Sequence, residues 1–256
     1  MDWYLNILLF VSLGAAIGFV GAIVGIGGGL IAIPMLALVF SMPQQLAQGT
    51  ALLMIASNVI MTLRNYHKRS PIDFKSVAIG VAANVVATHL AALVAQDMSP
   101  VLLRNLFAVF LGSVATFYIW QTLRKGKVRD SAGGPVPRRM GMRQYVMLGV
   151  ISGAIGGMFG VGGSLILVPV MTVIYKFRQT AAQAMALSMI LPGTLVALIT
   201  YSWHGNTDWT VGIALSVGGM LMIRQGVRLA FYLPERILKL LFAVVLYLTV
   251  ALLLLK

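Results

Sequence analysis

The chain has 256 residues, of which 59% are hydrophobic and only 10% charged, with a formal net charge of +13. A soluble domain carries roughly 25% charged residues, so this chain lacks the polar surface to clothe a globule of its size in water. It has no cysteine, which excludes disulfides, iron–sulfur clusters and thiolate metal sites.

The first apolar run covers 5–24, and no Lys or Arg precedes Arg64. Without a basic n-region it does not read as a cleavable leader and is expected to stay in the membrane. The chain then reads "GAIVGIGGGLIAIPML" over 21–36, an apolar stretch with helix breakers at its centre. The run that follows, 30–41, is only about a dozen residues, roughly 18 Å of helix against a hydrocarbon core of roughly 30 Å. Runs at 45–64, 74–95 and 100–123 complete the first half. A Gly/Pro-rich stretch at 124–143 then carries Arg124, Lys125, Lys127, Arg129, Arg138, Arg139 and Arg143, and reads as a flexible linker. The second half has runs at 143–159, 165–176, 180–202, 209–230 and 235–255. These runs are continuous, not alternating, so a membrane β-barrel is excluded. The expected fold is all-α and polytopic, with 1–123 and 144–256 as two transmembrane repeats joined by 124–143.

The halves align without gaps at an offset of 135 residues. Gly14, Gly18 and Gly21 meet Gly149, Gly153 and Gly156. Gly25, Gly27, Gly28, Leu30, Ile31 and Pro34 meet Gly160, Gly162, Gly163, Leu165, Ile166 and Pro169. Gln44, Ala47, Gln48 and Ala51 meet Gln179, Ala182, Gln183 and Ala186, and Tyr66 and Asp73 meet Tyr201 and Asp208. Matched Gly, Pro, Gln and Asp at one constant offset point to a tandem duplication.

Loop charges set the orientation. The linker is expected to be cytoplasmic, as is 64–75 with Arg64, Lys68, Arg69 and Lys75. The repeat partner of this loop, "WHGNTD" at 203–208, holds no Lys or Arg. The turn 41–44 is uncharged, whereas its partner region holds Lys176 and Arg178. Equivalent loops thus read as lying on opposite faces, which predicts inverted repeats. Each half would contain a hairpin of its first two segments plus three full crossings, about 8–10 transmembrane segments in all, with both termini outside. Clustering of the basic residues in short loops accounts for the net charge without nucleic acid.

In hydrocarbon every backbone N–H and C=O needs a partner, so a broken helix is tolerable only inside protein or beside a water-filled cavity. Glycine permits positive φ and close approach of a ligand to the backbone. A helix resuming at Leu30 or Leu165 presents free N–H groups and a partial positive charge, which suit an anion. Gly25, Gly27, Gly28 and Gly29, with Gly160, Gly162, Gly163 and Ser164, are therefore candidate substrate-binding positions, and Pro34 and Pro169 candidate hinges. Gly14, Gly18 and Gly21 fit helix packing instead. A dinucleotide-binding glycine motif fits poorly, because no βαβ pattern or later acidic residue surrounds it.

The motifs "GIGGGLIAIPML" and "GVGGSLILVPVM", followed by "AQGTAL" or "AQAMAL" and a later "ID" or "TD", resemble the sulfite exporter TauE/SafE family, also called the toluenesulfonate uptake permease family. The resemblance covers essentially the whole chain. It implies transport of small sulfur-containing or organic anions such as sulfite, sulfonates or thiol-carboxylates. Ala184 and Met185 replace Gly49 and Thr50 in the second half, so the two half-sites need not be equivalent.

Further polar residues lie in the spans. Gln48 and Gln183 are repeat partners and read equally well as ligand contacts or helix ties; Asn58 and Thr194 are second-tier candidates. His89 and Arg224, also partners, read as proton-carrying or anion-steering groups or as interfacial side chains. The six acids, Asp2, Asp73, Asp97, Asp130, Asp208 and Glu235, all fall at termini, loops or helix ends, with Asp73 and Asp208 placed to cap helices. A proton, carried on the substrate or on His89, is expected as coupling ion ahead of sodium. No Walker, HExxH or GxSxG pattern is present, so the chain reads as neither an ATPase nor an enzyme, and no cofactor or metal is expected. The sequence predicts a secondary transporter in the bacterial inner membrane, with an anion channel as the alternative; oligomeric state is not legible.

Overall fold

The computed structural model describes residues 2–25, 27–67, 74–124, 140–177 and 179–254. Most of the basic linker, Asp73 and Arg178 lie outside the described residues. The first half forms α1 (Asp2–Val24), α2 (Gly29–Pro34) continuing as a π-helical turn (Met35–Val39), α3 (Gln44–His67), α4 (Phe74–Asp97) and α5 (Pro100–Arg124). The second forms α6 (Met142–Phe159), α7 (Ser164–Val173), α8 (Gln179–Trp203), α9 (Trp209–Tyr232) and α10 (Glu235–Leu254). Each element falls on one of the apolar runs. Among the described residues, six helices are long and apolar enough to cross a membrane: α1, α3, α4, α5, α8 and α9. The protein is an all-α polytopic membrane protein.

Lipid tails are as apolar as leucine, so helices associate in a bilayer by close backbone approach more than by hydrophobic burial. Two of the three expected packing glycines on α1, Gly14 and Gly18, do this here; the third, Gly21, packs on Gly28 of the first glycine cluster instead. On α1, a Cβ at Gly14 would come within 2.2 Å of Leu215 O, and one at Gly18 within 2.5 Å of Gly219 Cα. On α6, Gly149, Gly153 and Gly157 press on the backbone of Gly80, Asn84 and Thr88 in the same rising register. So α1 packs parallel to α9, and α6 parallel to α4.

Two asparagines fix the next layer. Asn58 of α3 lies against Gly219 of α9, and Asn84 of α4 against Gly193 of α8. Gln45, at the start of α3, donates to the carbonyls of Ala95 and Met98 at the end of α4, so those two helices run oppositely. Accordingly α1, α3 and α9 run one way, and α4, α6 and α8 the other. α3 and α8 also touch each other, and α5 pairs with α10. Exchanging the halves leaves this pairing unchanged. α3 and α8 are the most deeply buried spans, whereas α4, α5, α9 and α10 turn apolar residues such as Val86, Val109, Leu221 and Leu248 outward.

The short helices end alike. Ser41 and Lys176, repeat partners, both adopt left-handed backbone with φ of 53° and 61°. Met42 N–H then bonds Leu36 O at 3.2 Å, and Phe177 N–H bonds Met171 O at 3.0 Å, closing each helix end with a bond one residue wider than that of a Schellman turn. The prolines differ. Pro34 has no N–H for the carbonyl of Leu30, and Thr249 Oγ1 of α10 donates to that carbonyl instead, at 3.1 Å. The repeat partner of Thr249 is Val114, which has no such donor.

Candidate functional site

Both breaks follow one backbone plan. Gly25, Gly27 and Gly28 have φ of 78°, 73° and 92°, and Gly160, Gly162 and Gly163 have 68°, 76° and 71°. The first glycine of each set closes the preceding helix, through Gly25 N–H to Gly21 O at 2.8 Å and Gly160 N–H to Gly156 O at 2.9 Å. The third precedes the resumed helix, so α2 and α7 start immediately after left-handed glycines. Three left-handed residues in four positions are open without strain only to glycine.

The breaks meet. A Cβ on Gly29 would lie 3.7 Å from Val161 Cα. Ile55 of α3 is wedged at the junction, its Cγ2 3.2 Å from the Cβ position of Gly27 and 3.9 Å from that of Gly162. Its repeat partner Ile190 lies against Gly162. Every described residue of both breaks is buried, as are Ile55 and Ile190, so the junction is sealed in this conformation.

The two glutamines cross over. Gln183 of α8 packs on Gly25 and donates Nε2 to Val24 O at 2.6 Å. Gln48 of α3 packs on Gly160, and its Oε1 accepts from Tyr201 OH at 2.8 Å. Tyr201 OH also lies 3.2 Å from the carbonyls of Gly157 and Met158, at the end of α6. Each half therefore holds the break of the other. Asn58 donates Nδ2 to Gly27 O at 3.2 Å, and Val59, one residue on, covers Gly27. At the second break Thr194 stands in the place of Val59, its Oγ1 3.4 Å from the Cβ position of Gly162. Ser164 takes the place of Gly29, and its hydroxyl is buried without a partner.

The structure thus gathers Gly25, Gly27, Gly28, Gly29, Gln48, Asn58, Gly160, Gly162, Gly163, Ser164, Gln183 and Thr194 around one junction. Pro34 and Pro169 lie inside α2 and α7, one turn beyond the breaks. His89 and Arg224 are not brought there: both are exposed on the outer faces of α4 and α9. His89 Nδ1 lies 3.1 Å from Thr200 Oγ1, beside an apolar groove between α4 and α8. The Gly49/Thr50 departure also belongs elsewhere. Gly49 packs on Asn206 O, and Thr50 Oγ1 accepts from Asp208 N–H at 2.9 Å, so these residues hold the loop 203–208. Asp208 caps α9 as expected, accepting from Val211 N–H at 3.0 Å.

Sequence reasoning missed Tyr201, Asn84, Ile55 and Ile190. A signal for Asn84 was present: the partners of Asn58 and Asn84 are Gly193 and Gly219, and each asparagine faces the glycine partner of the other.

Comparison with known families matches residues 10–253 to sulfite exporter TauE/SafE. The chain is 25% identical to the probable membrane transporter protein YunE of Bacillus subtilis, over 84% of this chain and 85% of that one. It is 27% identical to a probable membrane transporter protein of Methanocaldococcus jannaschii, over 78% and 74% of the two chains. It is 23% identical to the probable membrane transporter protein YfcA of Escherichia coli, over 92% and 84%. No solved structure matches. The glycine breaks and the sealed junction between them lie within the matched span, and the chain belongs to the sulfite exporter TauE/SafE family.

Proposed function

We propose that the protein is a secondary transporter of a small sulfur-containing or organic anion, such as sulfite, a sulfonate or a thiol-carboxylate. The anion sits between the two glycine breaks, and alternating access exposes it to one side at a time. The observation that carries this reading is the convergence of two identically built breaks on one buried junction, with Gly29 against Val161 and Ile55 against both. Helix starts at such a place offer backbone donors and a partial positive charge in a water-poor interior. A junction sealed from both sides suits a carrier better than an open pore. The relatives named as probable membrane transporters agree with it.

In this reading 1–123 and 144–256 are inverted repeats, with both termini outside and 124–143 cytoplasmic in a bacterial inner membrane. The opposite courses of α1, α3 and α9 against α6, α8 and α4 support the inversion. A proton rather than sodium drives transport.

The test is uptake by proteoliposomes against a panel of sulfur oxyanions, sulfonates and carboxylates, with imposed pH and sodium gradients. Saturable uptake of at least one anion, accelerated by a pH gradient, is expected. Flux far above carrier rates with no exchange or coupling would make the protein a channel. A tag within 203–208 should react only from outside and one within 124–143 only from inside; equal accessibility would overturn the inverted arrangement.

A further inference from the structure

The two breaks share their backbone but not their free polar groups: the buried atom left unpaired beside the first is an acceptor, Asn58 Oδ1, and those beside the second include donors. At the first, the neighbouring amides already serve the protein: Gln183 Nε2 donates to Val24 O and Asn58 Nδ2 to Gly27 O. Val59 and Ile55 present methyl groups on the same side. At the second, Ser164 Oγ and Gln48 Nε2 are both buried and both without a partner. The oxygen of Gln48 is taken by Tyr201, so the unused end of that amide is its N–H group. Native interiors leave few buried donors unpaired, and each one that persists calls for an explanation. Ser164 is also the first residue of α7, at the positive end of a ten-residue helix.

We propose that the charged head of the transported anion docks at the second break, on Ser164 Oγ, Gln48 Nε2 and the start of α7. Its other end lies against Val59 and Ile55 on the side of the first break. This rests on the transporter reading above and narrows its substrate class. The site takes an anion with one oxyanion head and a short apolar body, a small organosulfonate or monocarboxylate, in preference to a two-headed dianion. A dianion needs free donors at both ends, and the buried polar atom left without a partner beside the first break is an acceptor, Asn58 Oδ1, which repels an anion.

The experiment measures proteoliposome uptake of ethanesulfonate and ethane-1,2-disulfonate, together with the thermal shift each gives the purified protein in detergent. The wild-type protein should take up ethanesulfonate in preference and be stabilised by it. Ser164→Ala should raise the half-saturation concentration about tenfold, the scale of one lost hydrogen bond to a charged group, with the maximal rate within about twofold. Ser164→Thr, which keeps a hydroxyl, should recover most of the affinity. The melting temperature of each variant without ligand reports whether it folds. Unchanged half-saturation in a folded Ser164→Ala protein, or a wild-type preference for the disulfonate, overturns this assignment while leaving the transporter reading intact. A wild-type protein neither moving nor stabilised by any anion of the wider panel overturns both.

Discussion

A Cβ added to Gly28, at the first break, would meet Ile17 Cγ2 at 2.9 Å and Met54 Cε at 3.3 Å; one added to Gly163, at the second, would meet Ser152 O at 2.1 Å. Around Gly28 the contact under 3.0 Å is a side-chain methyl, and the nearest backbone atom, Ile17 O, is 3.3 Å away. The neighbour of Gly163 is the backbone of α6, itself pinned to α4 through Ser152 Oγ, which accepts from Asn84 Nδ2 at 2.9 Å. The two breaks share one backbone design, and the surrounding helices hold the two copies with different stiffness.

The largest effect follows from this difference. Both glycines are left-handed, so alanine at either position costs about 1–2 kcal/mol in backbone strain. Gly163→Ala must in addition move a helix, and should destabilise by about 3 kcal/mol or more and abolish uptake. Gly28→Ala should lose about 1–2 kcal/mol and keep measurable uptake. Melting temperatures in detergent together with uptake rates decide the matter, and equal losses in both variants would erase the distinction between the breaks.

The glycines themselves were legible because positive φ restricts the residue type and the repeat doubles the signal. The hairpin ends were not, since Ser41 and Lys176 adopt the same left-handed turn without a glycine to announce it. Packing glycines on α1 and α6 told that some helix comes close, but not that each partner would be the fourth helix of the opposite half. That choice depends on three-dimensional closure and leaves only a faint trace in sequence, the exchanged Asn/Gly pairs. The Gly49/Thr50 to Ala184/Met185 difference follows from a loop contact that proximity to the motif in sequence does not reveal: Gly49 and Thr50 hold Asn206 and Asp208. The crossing of Gln48 and Gln183 onto opposite breaks was likewise beyond sequence, although their repeat pairing marked them as worth finding.

A smaller effect separates the two prolines. Thr249 Oγ1 shares its proton between Leu30 O at 3.1 Å and its own helix at Val245 O, 2.8 Å. Thr249→Val gives this position the aliphatic character that Val114 has in the other half, and leaves the carbonyl freed by Pro34 without that donor. The expected loss is about 1 kcal/mol, or about 2–4 °C in melting temperature for a chain of this size. An unchanged melting temperature would mean that the π-helical turn after Pro34 holds without help from α10.

The smallest expected effect lies outside the breaks. His89 and Arg224 occupy equivalent places on α4 and α9, and an ionisable side chain within a span ordinarily points to function. Both are exposed, however, and the groove of about 410 Å³ beside His89 is lined by Val85, Val86, Leu90, Val196 and Ile199. A proton taken up there would reach an outward apolar surface, not the junction at Ile55 and Val161. The contact of His89 Nδ1 with Thr200 ties α4 to α8 from outside, and its loss should cost little because Thr200 Oγ1 also bonds Val196 O at 2.9 Å. His89→Ala should therefore leave the uptake rate within about twofold, as for other exposed substitutions, and leave its response to a pH gradient unchanged. That outcome would favour the proposal that a coupling proton travels on the substrate, since the sequence places no carboxylate mid-span. Loss of the pH response in His89→Ala would instead move coupling to the outer face of α4 and make the junction a site for the anion alone.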